Sequence, residues 1–531
     1  MTSVEYDLEA TMRDGVVLRA DVYRPSSAGP WPVLLVRTPY DKQDPVILGL
    51  LDPLAATRRG FMVVIQDVRG RFSSDGDWEP VVGEGADGRD TVRWAARLAG
   101  STGRVAMYGP SYLGQVQLAA LITRAPELVA AAVAFTWADP HDGFVARGGA
   151  AELGLVTGWS LRSGFDVLRR RGAGRDDVLQ LFAAVDRFNA LPRGSEASVP
   201  RAFDLPLPGR PDGPPLPVAA RALPDVVAPA FIIAGWYDPF LQGSLDTYAL
   251  LQGAGKAPTL LVGPWSHNNQ SGYVGDVAFG AAADARTLDL GASLYDRQLD
   301  WLGSHLDPEQ DETPKPQALV YVMGANRWRR LDNWPPASVE VPWYLQEHGQ
   351  LGTERSTTPG GADTFHFDPG DPVPTCGGPI LISPTFAPGP VDQSSVEDRP
   401  DVLLYTSAPL TAAVTVIGRV HARLFLAADV PSTDTVVRLC DVDTDGVSRN
   451  VVDGVLRVDT ADTETREVVV DLWSTAYVFE VGHRLRLQIT WSCYPRWDRA
   501  QAEASATVQH RVHRSPDRPS RIMLPLQPQS E

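Results

Sequence analysis

The chain has 531 residues, more than one hydrophobic core accommodates, because cores stop growing near ~250–300 residues; two or three domains are expected. Its apolar fraction of 44% is ordinary for a soluble globular protein, while 65 Asp+Glu against 48 Lys+Arg leave a formal charge of −17. A surface this acidic repels phosphate backbones and anionic lipid, which argues against nucleic acid and membrane as partners.

Glu5, Asp7 and Glu9 occupy the place where a signal peptide needs an apolar core, and no segment approaches ~18 continuous apolar residues. The three cysteines, Cys376, Cys440 and Cys493, lie far apart and form no CxxC pair, so free thiols in a reducing compartment are expected, with the cytoplasm as location. Val16 to Tyr23 alternates apolar and polar like a half-buried strand. Pro32 to Arg37 and Phe61 to Gln66 are short apolar runs that suit buried strands, with a helix over Ala55 to Arg59 between them. Val105 to Tyr108 is a further strand, followed by a glycine-bracketed turn and a helical run from Tyr112. Alternation of this kind predicts a mainly parallel sheet with helices on both faces.

From about 141 to 225 the texture changes. Asp177 to Asn189 places Val178, Leu181, Phe182, Val185 and Phe188 on one helical face, and a proline-rich linker spans 206–217. Buried-strand runs return at Ala230 to Ala234 and Thr259 to Val262. After about 310 the segments are short and β-rich: Ala318 to Met323, Ala422 to Leu426, Val436 to Leu439, Val468 to Leu472 and Leu485 to Thr490, as in a β-sandwich or jelly roll.

The chemistry concentrates at strand ends. Gly109-Pro110-Ser111-Tyr112-Leu113-Gly114 follows a strand and opens a helix, but it reads G-x-S-x-x-G, with the second glycine one place later than in the G-x-S-x-G elbow. A nucleophilic serine needs a base, and the base needs an acid to orient it. Asp238 follows the strand at 230–234 and His267 the strand at 259–262, in the order Ser, Asp, His that α/β-hydrolases use. The backbone N–H of Tyr112 can serve as one oxyanion donor. Tyr40, in the loop Arg37 to Lys42, offers a phenol for the other, although on pattern alone a packed aromatic is the better reading of it. Asp67 and Arg69 are expected to pair as buried ions near the elbow, and Trp473, Trp491 and Trp497 to serve core or inter-domain packing. His510 and His513 have i, i+3 spacing without carboxylate or Cys company, so no metal and no cofactor is expected.

The stretches MRDGVVLRADVYRP, VLLVRTPYDK, VVIQDVRGRFSSDGDWEP, GPSYLG, AGWYDPF and LLVGPWSHNN are similar to a known family. FDPGDPVPTCGG, RPDVLLYTSAPL, DTVVRLCDVDTDG and GHRLRLQITWSCYPRWD continue the match in the same order. The chain resembles the cocaine-esterase-like branch of bacterial acyl hydrolases, related to X-prolyl dipeptidyl peptidases and α-amino-acid ester hydrolases. The resemblance implies an α/β-hydrolase core in two parts (1–140 and 226–310), an inserted helical cap (141–225) and a C-terminal jelly roll (311–531). It implies Ser111 as nucleophile, Asp238 as orienting acid, His267 as base, and Tyr40 with the Tyr112 N–H as oxyanion hole. It also implies that Phe240 and Trp159 line the acyl pocket, with ordinary cap core as the other reading of Trp159. The α-amino-ester branch carries an acidic pair right after the acid, where this chain has Phe240 and Leu241. The expected activity is hydrolysis of a small or medium carboxylic ester, with a neutral apolar acyl group preferred. Amide acylase or X-prolyl peptidase-like activity, possible within a biosynthetic route, is the alternative, and a non-catalytic binding protein is the rival from another class. The substrate and the state of oligomerisation are not legible.

Overall fold

The computed structural model describes residues 2–189, 205, 208–209, 214–309, 317–459, 464–500 and 508–527. The first sheet begins with β1 (Ser3–Thr11), β2 (Val17–Arg24), β3 (Trp31–Thr38), β4 (Met62–Asp67), β5 (Ser101–Pro110) and β6 (Leu128–Ala134). Between these strands lie α1 (Pro45–Leu51), α2 (Pro53–Arg58), α3 (Glu84–Ala95) and α4 (Tyr112–Leu121). An insertion follows, made of β7 (Ala146–Arg147), β8 (Ala150–Ala151), α5 (Leu153–Arg170) and α6 (Arg175–Asn189). The sheet then resumes with β9 (Ala230–Tyr237), α7 (Leu241–Gly253) and β10 (Thr259–Ser266). A small hairpin, β11 (Tyr273–Val274) with β12 (Val277–Ala278), precedes α8 (Leu294–Leu306), β13 (Gln317–Val322) and β14 (Arg327–Leu331).

The ten strands run in the order β1-β2-β4-β3-β5-β6-β9-β10-β13-β14. The central pairs, from β4 through β3 to β13, are parallel, and the edges at β1, β2 and β14 are antiparallel. Val33 to Val36, Met62 to Ile65 and Val105 to Met107 are wholly buried, as continuous apolar runs must be when helices cover both faces of a parallel sheet. α3 packs on α4, while α2 is tied to α8 by Arg59, which pairs with Asp296 at 3.0 Å and with Asp300. No helix among the described residues is long and apolar enough to cross a membrane.

Three sequence expectations change. The run Ala318 to Met323, expected in the β-rich region from 311, forms β13, which pairs in parallel with β10 and belongs to the first sheet, followed by β14. Its Ala318, Val320, Tyr321 and Val322 are all buried, the mark of a sheet covered on both faces rather than of an alternating sandwich strand. On α6 the inward stripe is Leu181, Ala184 and Phe188, while Phe182 is 53% exposed and packs on Phe165 with ring centroids 4.6 Å apart. A spacing of three and four residues makes that stripe, and position 182 falls a further 100° round the helix. Asp67 and Arg69 do not pair with each other. Asp67 takes Lys42 (3.3 Å) at the end of β4, while Arg69, in the turn beyond that strand, takes Asp87 (2.6 Å) and Asp14 (2.9 Å). Of the proline-rich linker, residues 206, 207 and 210–213 lie outside the described residues.

The C-terminal region is built almost entirely of strands, the longest being Val414–Ala428, Ser432–Val442, Ser448–Asp459 and Arg466–Phe479. It grips the insertion. Arg147 on β7 lies 3.6 Å over the ring of Trp473 and donates to the carbonyl oxygen of Asp453. Glu152, immediately before α5, accepts a 2.8 Å hydrogen bond from the Trp497 indole. Trp473 and Trp497 are therefore inter-domain residues, whereas Trp491 packs on Phe365 inside the β-rich core. Burial pushes the pKa of Glu152 up to about 6 from the ordinary 4.5, against the charge of Arg496 and the Trp497 bond. Folded Glu152 thus keeps its proton to higher pH than the unfolded chain does. The stability it contributes is complete below about pH 4.5 and is lost as pH rises through about 6. In Glu152→Gln that dependence disappears. Its thermal midpoint should gain on the wild type between about pH 4 and about pH 7 by the equivalent of about 2 kcal/mol. A difference that stays constant across the range would rule the assignment out.

Candidate active site

Ser111, Asp238 and His267 each follow the last residue of a central strand, β5, β9 and β10 respectively, so the sheet delivers all three to one edge. Ser111 occupies φ 63°, ψ −128°, an unfavourable conformation for a residue with a side chain. Its N–H is held by the carbonyl oxygen of Ala134 at 2.9 Å, and its own carbonyl accepts from the first turn of α4. The displaced second glycine has a physical reason. A Cβ at Gly114 would lie 2.9 Å from both the Ala134 oxygen and the Thr136 Cβ, so α4 approaches β6 most closely at that position. Leu113, at the usual glycine position, is a buried core side chain instead.

His267 Nε2 lies 3.0 Å from Ser111 Oγ, and Nδ1 lies 2.6 Å from Asp238 Oδ2. The other carboxylate oxygen of Asp238 accepts the Phe240 N–H at 2.7 Å. With Nδ1–H directed at a wholly buried carboxylate, the lone pair of Nε2 faces the serine hydroxyl. The His267 side chain is only 7% exposed. The turn after it is fixed by Gln270, whose amide donates to the carbonyl oxygens of His267 (2.8 Å) and Ser266 (3.1 Å).

Tyr40 lies two residues beyond the end of β3. Its phenolic oxygen accepts a 2.9 Å hydrogen bond from the Trp159 indole, which leaves the phenolic proton free for another acceptor. Burial raises the pKa of Tyr40; the Trp159 bond, the charges of Arg162 and Arg71, and Ser111 all work the other way. Tyr112 opens α4, so its N–H is among those the helix leaves unpaired. Its phenol donates to Glu84 Oε1 at 2.8 Å and accepts the Val81 N–H at 2.8 Å.

Phe240 is buried, edge-on to His267 at 5.2 Å, with Trp137 at 4.6 Å and Phe144 at 6.2 Å. Trp159 stacks parallel to Tyr112 at 6.2 Å and meets Trp78 at 5.4 Å. The structure thus gathers every expected site residue into one cluster. A separate recess of about 1110 Å³, among Val129, Phe231, Pro258 and Trp301, contains none of them.

Sequence reasoning missed the supports. Arg37, wholly buried on β3, donates to Glu84 Oε2 (2.7 Å) and to Gln66 (3.0 Å), so Arg37, Glu84 and Tyr112 form one chain beneath the elbow. Arg71 donates to the carbonyl oxygens of Pro39 (2.9 Å) and Ser163 (3.1 Å) and lies 4.2 Å over Trp78, joining the Tyr40 loop to α5. Both lie in stretches that carry the family resemblance, VLLVRTPYDK and VVIQDVRGRFSSDGDWEP, but only Arg37, a charge inside an apolar strand run, stood out as a residue type.

A serine, a histidine and a carboxylate in mutual contact at the carboxyl ends of a parallel sheet, with donors beside the serine, define a serine hydrolase of the α/β-hydrolase fold. Residues 14–269 match the X-Pro dipeptidyl-peptidase (S15) family, and residues 312–523 match the X-Pro dipeptidyl-peptidase C-terminal non-catalytic domain. The chain is 35% identical to the cocaine esterase of Rhodococcus sp. (strain MB1 Bresler), over 99% of its own length and 98% of that protein's. It belongs to this family of X-Pro dipeptidyl-peptidase-like serine hydrolases. Among solved structures, an aminopeptidase from a marine sediment archaeon, Thaumarchaeota archaeon, superposes with a TM-score of 0.78 at 23% identity, covering 99% of this chain and 96% of that one. An α-amino acid ester hydrolase superposes with a TM-score of 0.72 at 22% identity, covering 99% and 97%. At these identities the two share the fold.

Glu84→Ala would leave the Arg37 guanidinium buried without its carboxylate and should cost about 3–5 kcal/mol of stability. Glu84→Gln, which keeps an acceptor for Tyr112, should lose less. Chemical denaturation of the three proteins measures this, and a loss below about 1 kcal/mol in Glu84→Ala would mean that Asp87, 4.0 Å from Arg37, suffices as its partner.

Proposed function

We propose that the chain hydrolyses small or medium carboxylic esters through an acyl-enzyme intermediate formed on Ser111. The observation that carries this reading is the continuous contact from Ser111 Oγ through His267 to Asp238. Ser111 Oγ attacks the ester carbonyl as its proton passes to His267 Nε2, and Asp238 stabilises the imidazolium and fixes its orientation. The tetrahedral oxyanion accepts hydrogen bonds from the Tyr40 hydroxyl and the Tyr112 N–H. Collapse expels the alcohol, which takes the proton from His267. Water, deprotonated by the same nitrogen, then attacks the acyl-enzyme, and Ser111 regains its proton as the carboxylic acid leaves. No step calls on a metal or cofactor. The free thiols Cys376, Cys440 and Cys493 support a reducing compartment, the cytoplasm.

A fluorophosphonate should label Ser111 once per chain, as peptide mapping would show, and Ser111→Ala should lose both labelling and turnover of p-nitrophenyl butyrate. Tyr40→Phe should lower kcat by about 10²–10³ with little change in KM, because the donor acts mainly on the transition state. A loss under about threefold would return Tyr40 to a packing role.

The acyl group is uncharged and apolar. Phe240, Trp137, Phe144 and Trp159 supply the aromatic surface beside His267 and Tyr40. Asp176 and Asp177 are exposed in the first turn of α6, and Asp177 is turned to the Gly174 N–H. An ammonium entering among those rings would lose its hydration without gaining a carboxylate. Methyl phenylacetate should therefore exceed methyl phenylglycinate, with its amine charged, by about 10² or more in kcat/KM. Equal values for the two esters would refute the preference.

A further inference from the structure

Helix α5 brings a second side chain to Tyr40 besides Trp159. Arg162 follows Trp159 by three positions and so lies one turn further on the same face. Its guanidinium folds back toward the start of the helix, as long helical side chains do. Nη1 lies 3.4 Å from the carbonyl oxygen of Ile382, and a Cβ built on Gly158 would stand 3.3 Å from that nitrogen and 2.7 Å from that oxygen. Glycine at 158 is what lets the Ile382 segment and the guanidinium share this space. Arg162 is exposed, but protein crowds round it and pushes its pKa down, with the Tyr40 phenol opposing. Of the cations acting on Tyr40, Arg162 has the larger influence, ahead of Arg71.

The two arginines differ in what else they hold. Arg71 is engaged by two carbonyl oxygens and by Asp166 at 3.5 Å. Arg169, two turns along α5 from Arg162, is paired with the same Asp166 at 2.6 Å. For Arg162, no carboxylate lies within ion-pairing distance among the described residues, and the long Ile382 contact engages one of its five N–H groups. The sequence holds 65 acidic residues against 48 basic ones, so partners for a cation are plentiful. A guanidinium without a carboxylate among the described residues, one helical turn from the Trp159 that bonds Tyr40, is suited to an anion that arrives with the substrate.

We propose that Arg162 binds a carboxylate carried by the alcohol portion of the ester, so that the substrates are esters of short hydroxy acids rather than of simple alcohols. The inference rests on the ester reading above, in which the acyl portion faces aromatic rings and the charge belongs to the other half of the molecule. The planar guanidinium fork matches a carboxylate in two parallel hydrogen bonds. One turn of α5 separates it from Trp159, whose indole bonds the Tyr40 hydroxyl, so a short spacer between scissile carbonyl and carboxylate suits the site. The contact exists in substrate and transition state alike, so it acts mainly through KM.

The test compares methyl phenylacetate with carboxymethyl phenylacetate, which share one acyl group, in the wild type, Arg162→Lys and Arg162→Gln. The wild type should favour the carboxymethyl ester by at least about tenfold in kcat/KM. In Arg162→Gln the ratio should fall to about one or below, since the formal charge of −17 repels the anionic ester; Arg162→Lys should keep part of it. The ratio is taken within each protein, so a general loss of activity or folding cancels. A wild-type ratio below about two, or the same ratio in Arg162→Gln, would overturn the proposal, as would an Arg162-dependent preference for monomethyl succinate, which carries its charge on the acyl side. If neither phenylacetate ester is turned over, the ester reading fails separately. Protection then decides: carboxymethyl phenylacetate should slow fluorophosphonate labelling of Ser111 in the wild type and not in Arg162→Gln, and absence of protection sinks the proposal.

Discussion

A nucleophile presented on a sharp turn must be held there by its surroundings, because its own backbone opposes the position. The conformation of Ser111 belongs to the class that costs a residue with a side chain roughly 1–3 kcal/mol. Its neighbours over-determine it: the Ala134 carbonyl holds the amide, α4 grows from the serine carbonyl, and Gly114 lets that helix settle onto the end of β6. Beneath, Arg37 holds Glu84, Glu84 holds the Tyr112 phenol, and that phenol holds the Val81 amide. Tyr112 is the residue whose N–H faces the reaction in the proposed mechanism. Anchoring its side chain therefore fixes the direction of its backbone donor, and the buried charges under the elbow act on geometry rather than on the reacting atoms.

The second constraint joins the three parts of the molecule. Arg147 and Glu152 plant the beginning of the insertion in the β-rich region, against Trp473 and Trp497. Arg71 ties the middle of α5 to the loop carrying Tyr40. With α5 held at both places, Trp159 is carried onto the Tyr40 oxygen, and Arg162 stands one turn further along the helix. A helix of 18 residues pinned in this way is a rigid arm, so the place of Trp159 against Tyr40 depends on contacts with a region that holds none of Ser111, Asp238 and His267.

Much of this was legible in the sequence because the chemistry sits where the periodicity changes. Ser111, Asp238 and His267 each stand at the point where a short apolar run stops, and a parallel sheet places all such points on one edge. The shifted glycine hid nothing, since the strand–turn–helix context survived the failed pattern. Other elements were silent for identifiable reasons. β1 is an exception: Val4, Tyr6, Leu8 and Ala10 alternate with Glu5, Asp7 and Glu9, the period of a half-buried strand, on an antiparallel edge where the charges deter pairing with other chains. α3 buries Glu84, Asp87 and Thr91 beside Val92 and Ala95 on its inner face, so polar residues interrupt the apolar stripe by which an amphipathic helix is recognised. The partner of Asp67 could not be read because Lys42 meets it only after β3 and β4 align. The place of β13 beside β10 is not legible, because a short apolar run does not reveal which neighbour it pairs with.

The Tyr40 phenol shows why tertiary support matters more here than residue type. A backbone N–H has a fixed direction, whereas a phenolic hydroxyl turns about its C–O bond and must be told where to point. The Trp159 indole can only donate, so it occupies an acceptor site on the Tyr40 oxygen and leaves the proton to be given elsewhere. Burial keeps that proton in place by raising the phenol's pKa, while the nearby guanidinium charges of Arg162 and Arg71 make it a better donor than an isolated buried phenol. The two effects oppose each other in acidity and cooperate in function: the hydroxyl stays protonated, and it sits in a positive field where the proposed oxyanion forms. In a chain with a formal charge of −17, such a field exists only because the cations are local and partly enclosed by protein, where screening by solvent is weakest.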